Sequence, residues 1–226
     1  MNLVLQVDDL RVRAPGGRVL LSCDHFEATP GATIGLRGPS GAGKSTFLYA
    51  LAGLHPAMTG HIRWGATDLV QLNDAARAAF RRSHVGLIFQ DFLLFEELSA
   101  LGNASLATAF NPAVKRRSIT DTARDFLKSL KVPAEARTVD SFSGGERQRT
   151  AIARALAHDP AIILADEPTA SLDRKTADAL IEDLISLTRA QNKTLIAVSH
   201  DRHLLDCMDR VIDIADGRLM TEAAPV

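Results

Sequence analysis

An α/β fold with a largely parallel sheet is predicted by three observations. Val85 to Phe89, Ala161 to Ala165 and Thr194 to Val198 are almost continuous apolar runs of strand length, as expected of strands covered on both faces. Segments between them, such as Thr176 to Leu187, carry the helical period of crossover connections. A further apolar run, Ala32 to Arg37, leads directly into a glycine-rich loop.

In chain order, Leu3, Leu5 and Val7 alternate with polar neighbours, and Gly16-Gly17 supplies a turn before Val19-Leu20-Leu21, so an antiparallel hairpin opens the chain. Pro30-Gly31 marks the next turn and Ala32 to Arg37 the first buried strand. The loop that follows gives way to a helix bearing Phe47, Leu48 and Leu51, with Gly53 as its stop. Residues from about 92 to 150 show no clear strand and read as a helical insertion within one domain, 1–226. Asp216-Gly217, between Val211 to Ile214 and Arg218 to Met220, predicts a closing hairpin.

Composition narrows the function. The 226 residues are 46% hydrophobic and 23% charged, proportions of a globular protein. Lys and Arg total 26 against 27 Asp and Glu, so no overall field draws the chain to nucleic acid or an anionic membrane. No apolar run approaches the roughly 20 residues of a membrane span. Cys23 and Cys207 are far apart and in no CxxC pattern, and no signal peptide precedes them. The expectation is a soluble protein of a reducing cytosol with core or incidental thiols.

Gly38-Pro39-Ser40-Gly41-Ala42-Gly43-Lys44-Ser45, with Thr46 directly after it, fits G-x-x-x-x-G-K-[ST] between a strand and a helix. Loop N–H groups and the positive end of the helix suit phosphates, with Lys44 expected to reach the β- and γ-phosphates and Ser45 a Mg²⁺ ion. Asp166 and Glu167 close the Ala161 run at the carboxyl end of its strand, where open α/β sheets bind ligands. Asp166 is placed as a Mg²⁺ carboxylate and Glu167 as the group that polarises an attacking water. Ser143-Gly144-Gly145 opens a helix as an anion-binding N-terminus, but it brings no lysine and needs a second phosphate-binding partner.

Phe142 to Leu156, containing Ser143-Gly144-Gly145-Glu146-Arg147-Gln148-Arg149, resembles the signature sequence of ABC (ATP-binding cassette) ATPases. The resemblance spans essentially the whole chain. It implies a RecA-like P-loop NTPase core with an N-terminal antiparallel β subdomain and a helical signature subdomain. It also implies two ATP molecules held between two head-to-tail protomers, with Ser143, Gly144, Gly145 and Glu146 completing the opposite site. Gln90 matches the loop glutamine that senses the γ-phosphate and Mg²⁺, Ser171-Leu172-Asp173 the segment crossing the dimer interface, and His200 the switch histidine. The other six histidines, His25, His55, His61, His84, His158 and His203, read as solvated.

The chain departs from the family in two places. Arg11-Val12-Arg13-Ala14 offers no aromatic residue for adenine, leaving Val12, Arg13 or another residue to cover the base. Glu146 stands where many members carry glutamine. Asp68-Leu69 to Arg81-Arg82, with the signature, looks like the branch that includes lipoprotein-releasing, macrolide-exporting and cell-division ATPases.

The function implied is transport-coupled ATP hydrolysis. The partners implied are a second ATPase subunit and integral membrane permease subunits, met on the cytoplasmic face of the cell membrane. Phe89, Phe92, Leu93, Leu94 and Phe95 read either as a groove for a partner helix or as packing of the helical subdomain. The alternative, a soluble ATP-dependent clamp or adaptor, is disfavoured by the single cassette, the short spacer before Ser143 and the balanced charge.

Overall fold

The computed structural model describes residues 3–134, 137–170 and 172–220. The chain runs β1 (Leu5–Arg13), β2 (Val19–Ala28), β3 (Thr33–Arg37), α1 (Lys44–Leu51), β4 (Met58–Trp64), β5 (Thr67–Asp68), α2 (Asp74–His84), β6 (Val85–Ile88), α3 (Ala100–Ala104) and α4 (Ala113–Ser129). It continues through α5 (Gly144–Leu156), β7 (Ile162–Asp166), α6 (Arg174–Ala190), β8 (Thr194–Val198), α7 (Arg202–Asp206), β9 (Arg210–Ala215) and β10 (Arg218–Leu219).

These strands form a ten-stranded sheet ordered β5-β4-β1-β2-β10-β9-β3-β8-β7-β6. Strands β9, β3, β8, β7 and β6 are mutually parallel. The other arm, β5-β4-β1-β2, is antiparallel, so the expectation of a largely parallel sheet holds for one arm only. β7 and β8 are buried along their whole length, which explains their unbroken apolar sequences.

The hairpin of β1 and β2 forms where Gly16-Gly17 predicts it, with Val7 opposite Phe26 and Val12 opposite Leu21. Its alternation changes phase in the middle: Leu5 and Val7 are buried, then Leu10 and Val12. An extra residue at Asp9, in the left-handed region at φ +50°, makes the bulge that shifts the β1–β4 register. Gly60 lies against it, and a side-chain carbon there would come within 2.4 Å of the Asp9 carbonyl.

β4 and β5 were not predicted. Gly60 takes an inward position in the alternation of Met58, Ile62 and Trp64 and breaks it, although these three side chains are buried. Trp64 is fully buried, and its Nε1 donates to the Leu51 carbonyl at 3.0 Å, tying β4 to the last turn of α1. Phe47, Leu48 and Leu51 fix the other side of that helix in the core, and Gly53 at φ +64° ends it as predicted.

Helices α3, α4 and most of α5 occupy the stretch 92–150, with α5 continuing to Leu156. They share a cluster that includes Leu101, Ile119, Leu127, Phe142, Ile152 and Leu156. A bridge between Ser99 and Thr138 is the one pairing there among the described residues. Cys23 lies in the core, where burial pushes its thiol up to about 12.

Trp64→Ala is expected to lower unfolding free energy by about 3–5 kcal/mol. Denaturant titration followed by far-UV circular dichroism measures this, and a loss under about 1 kcal/mol would deny Trp64 that anchoring role.

Candidate nucleotide site

The phosphate loop begins where β3 ends. Gly38, at φ +152°, passes so close to β9 that a side-chain carbon there would lie 2.0 Å from the Ile214 carbonyl, so only glycine fits. Helix α1 starts at Lys44 with no acidic residue in its first turn, leaving its positive end open to an anion. Lys44 is buried, and its Nζ donates to the carbonyls of Gly38 at 2.8 Å and Pro39 at 3.0 Å. The ammonium is thus held across the loop.

Asp166 ends β7 and is 4% exposed. Ser45 Oγ donates to its Oδ1 at 3.0 Å and the Tyr49 hydroxyl to its Oδ2 at 2.7 Å. Glu167 follows in the left-handed region at φ +47°, and its N–H continues the sheet ladder to the Val198 carbonyl at 3.0 Å. Its carboxylate accepts from the His200 N–H at 3.3 Å, and the His200 ring Nε2 lies 3.5 Å from Oε1. Burial lifts the Glu167 carboxyl above the usual glutamate range, against the lowering influence of the His200 N–H and ring and of Lys44.

Beside these residues lies a cleft of about 1120 Å³. Of the residues singled out in the sequence, Ser40, Gly41, Gly43, Lys44, Ser45, Thr46, Gln90, Glu167 and His200 line it, whereas Asp166 does not and sits behind Ser45. Gly38 and Pro39 shape the loop from behind, and Ala42 is buried in the core. Leu20, Thr169, Arg174 and Asp201 also line the cleft and were not foreseen.

Neither candidate for covering the base lines the cleft. Val12 is fully buried in the core, and Arg13 donates to the Gly17 carbonyl at 2.9 Å. The hairpin residue that does face the cleft is Leu20. Its apolar side chain was legible, but its direction follows from the register shift between Val12 and Arg13, which leaves Leu20 without a partner in the pairing of β1 with β2.

Ser143, Gly144, Gly145, Glu146 and Asp173 stand outside the cleft of their own chain. Ser143 caps α5 in a reciprocal box: the Glu146 N–H donates to Ser143 Oγ at 3.3 Å, and the Ser143 N–H donates to the Glu146 carboxylate at 2.9 Å. Burial raises the Glu146 carboxyl, but the Ser143 donors and the Arg137 guanidinium outweigh it and hold the group below its ordinary value. Asp173 caps α6, accepting from the Thr176 N–H at 3.1 Å and hydroxyl at 2.6 Å. Gly145 packs on the same threonine, leaving no room for a side chain. Ser171 lies outside the described residues.

Other side chains depart from expectation. His203 is not simply solvated: its Nδ1 lies 2.6 Å from Asp178 and 3.2 Å from Arg174, which also pairs with Asp201 at 3.0 Å. His55 and His158 are half-buried, and desolvation lowers both below the ordinary histidine value. His25 pairs with Asp8 and His61 with Asp68. In the aromatic cluster both readings have support. Leu94 packs into the helical core, whereas Leu93 and Phe95 are 57% and 52% exposed.

A phosphate loop and a strand-end carboxylate pair joined through Ser45, with a capped Ser-Gly-Gly helix outside their cleft, define a nucleotide-binding cassette. The ABC transporter family model matches residues 21–170, and the chain belongs to that family as its ATP-binding, ATP-hydrolysing subunit. The chain is 40% identical over 226 residues to the lipoprotein-releasing system ATP-binding protein LolD of Zymomonas mobilis, covering 98% of this chain and 97% of that one. It is also 40% identical over 200 residues to the uncharacterized ABC transporter ATP-binding protein Rv0986 of Mycobacterium tuberculosis, covering 87% and 80%. Among solved structures, a dimer of the ATP-binding cassette MJ0796 in a post-hydrolysis state with ADP and Pi superposes with a TM-score of 0.85 at 30% identity, covering 96% and 97%.

In the nucleotide-free protein, folded Glu167 keeps its proton to higher pH than unfolded Glu167, so stability falls as pH rises from the ordinary glutamate range through the raised value. Glu167→Gln is expected to be more stable than the parent at neutral pH, with the difference vanishing in acid. Denaturant midpoints from about pH 4 to about pH 7 check this.

Proposed function

We propose that this chain is the ATPase of a membrane complex of the lipoprotein-releasing type, working as a homodimer that closes around two ATP molecules and drives its membrane subunits. The dimer of MJ0796 and the name of LolD support the reading. The observation that carries it is internal. Lys44, Ser45, Glu167 and His200 line one cleft, with Asp166 bonded to Ser45 at 3.0 Å, while the capped Ser143–Glu146 segment lies outside it and is left for the cleft of a second copy.

The donor set fits Mg²⁺. Ser45 and Asp166 offer hard oxygen ligands already in mutual contact at 3.0 Å, and Gln90 lines the same cleft. No group of three or more His, Cys, Asp or Glu suited to a metal occurs among the described residues, so phosphate and water oxygens would complete the shell. Bound there, Mg²⁺ would neutralise charge on the β- and γ-phosphates.

The chain's own groups supply the remainder. The loop N–H groups and Lys44 hold the phosphates; Glu167 takes the proton of the attacking water as its oxygen bonds to phosphorus and ADP leaves; His200 steadies the γ-phosphate and the Glu167 carboxylate together. Ser143, Gly144, Gly145 and Glu146 of the opposite copy close the site, with Asp173 at the interface. We assign residues from about 92 to 150 to a helical subdomain within the single domain. Its exposed Leu93 and Phe95, beside Gln90, are the surface for a membrane subunit at the cytoplasmic face. No helix among the described residues is long and apolar enough to cross a membrane.

Glu167→Gln is expected to lower kcat for ATP by about 10²–10⁴-fold and to elute as a dimer in ATP and Mg²⁺ during size-exclusion chromatography. Wild-type turnover, or a monomer under all conditions, would overturn the mechanism. Affinity purification from detergent-solubilised membranes is expected to recover a multispanning partner, and recovery of soluble partners alone would favour the adaptor reading.

A further inference from the structure

Asp166 is held by two hydroxyl groups of one helix. Ser45 reaches Oδ1 at 3.0 Å and Tyr49 reaches Oδ2 at 2.7 Å. The two residues are four positions apart on α1, so both project from one face a turn apart. The Tyr49 ring also meets Phe89, with centroids 6.1 Å apart and planes tilted by 42°. Phe89 directly precedes Gln90. Tyr49 therefore touches the carboxylate through its hydroxyl and the base of the Gln90 turn through its ring.

We propose that Tyr49 is a positioning residue for the cation-binding carboxylate: its hydroxyl fixes Oδ2, and so orients Oδ1 toward Ser45 and the cation. The inference rests on the reading of Ser45 and Asp166 as the protein's Mg²⁺ ligands. A carboxylate at a strand end keeps rotational freedom about its terminal bond unless both oxygens are held. With Oδ2 held by the phenol, the plane of the group is set before the cation arrives, and less ordering is needed on binding. Hydrogen-bond partners behind a metal ligand commonly account for 10–100-fold in metal affinity. Phenylalanine at this position would keep the contact with Phe89 and lose only the hydroxyl.

The test compares the wild-type chain, Tyr49→Phe and Asp166→Asn, with Mn²⁺ as a paramagnetic stand-in for Mg²⁺ and the β,γ-imido analogue of ATP as the nucleotide. Free Mn²⁺ is followed by electron paramagnetic resonance, and nucleotide affinity without metal by calorimetry in chelator. Tyr49→Phe is expected to weaken Mn²⁺ binding about 10-fold with metal-free nucleotide affinity unchanged, and Asp166→Asn to weaken it further. Wild-type Mn²⁺ affinity in Tyr49→Phe, with loss in Asp166→Asn, overturns the role of Tyr49 alone. Wild-type affinity in Asp166→Asn instead overturns the assignment of the carboxylate, and the proposal with it.

A second readout does not depend on the Tyr49 variant folding. Tyr49 is the sole tyrosine of the chain. Its near-ultraviolet absorption is expected to move to shorter wavelength in Asp166→Asn, because an amide is a weaker acceptor than a carboxylate; an unmoved band overturns the hydrogen bond on which the proposal stands.

Discussion

The register of three parallel strands governs the rest of the molecule. Leu36 of β3 pairs with Val198 of β8, and Val198 pairs with Asp166 of β7, so the three strands end level. The ladder continues past their ends, since the Ser199 N–H donates to the Leu36 carbonyl and the Glu167 N–H to the Val198 carbonyl. The phosphate loop, the carboxylate pair and His200 consequently emerge along one edge. A slip of one residue in β7 would turn Asp166 away from Ser45 and reverse every side chain of a strand buried on both faces. That double burial makes the register costly to change.

Around this edge the β9–β10 hairpin acts as a brace for the loop. The Gly217 N–H, in the β9–β10 turn, donates to the Ala42 carbonyl at 3.0 Å, and Gly38 runs beneath Ile214. From the other side Trp64 fastens the far end of α1. A loop rich in glycine is conformationally free in isolation, and here its freedom is removed both by its own bonds, from Lys44 to the Gly38 and Pro39 carbonyls, and by packing against β9 and the β9–β10 turn.

The helical side meets the same edge through α5. Gln148 Nε2 donates to the Pro168 carbonyl at 2.6 Å, one residue beyond Glu167. Further along the helix, Arg154 donates to the carbonyls of Phe92, at 2.7 Å, and Leu93, where the backbone is left-handed at φ +58° and +49°. One rigid helix therefore touches both the hydrolytic loop and the segment that presents Leu93 and Phe95 to solvent. Contiguity of this kind is what a cassette needs if nucleotide state and partner contact are to be felt together.

Much of the site was legible because its determinants are local. Gly38 to Thr46 declares itself through glycine spacing and flanking elements, and Asp166-Glu167 through the apolar run before it. Tyr49 was not legible: its acceptor lies 117 positions away, and on α1 it reads as one more apolar-face residue. Leu20 was hidden by strand phase, and the Arg174, Asp178, Asp201 and His203 cluster by separations of up to 29 positions. β4 escaped because Gly60, which the Asp9 bulge requires, breaks the pattern that announces a strand. The sequence by itself determined the nucleotide chemistry and the order of the core elements other than β4 and β5, since both follow from residue type and spacing over short stretches. Only the tertiary structure decided which hydroxyls hold Asp166, which hairpin side chain lines the cleft and which faces stay exposed, because those depend on register and packing between segments distant in the chain.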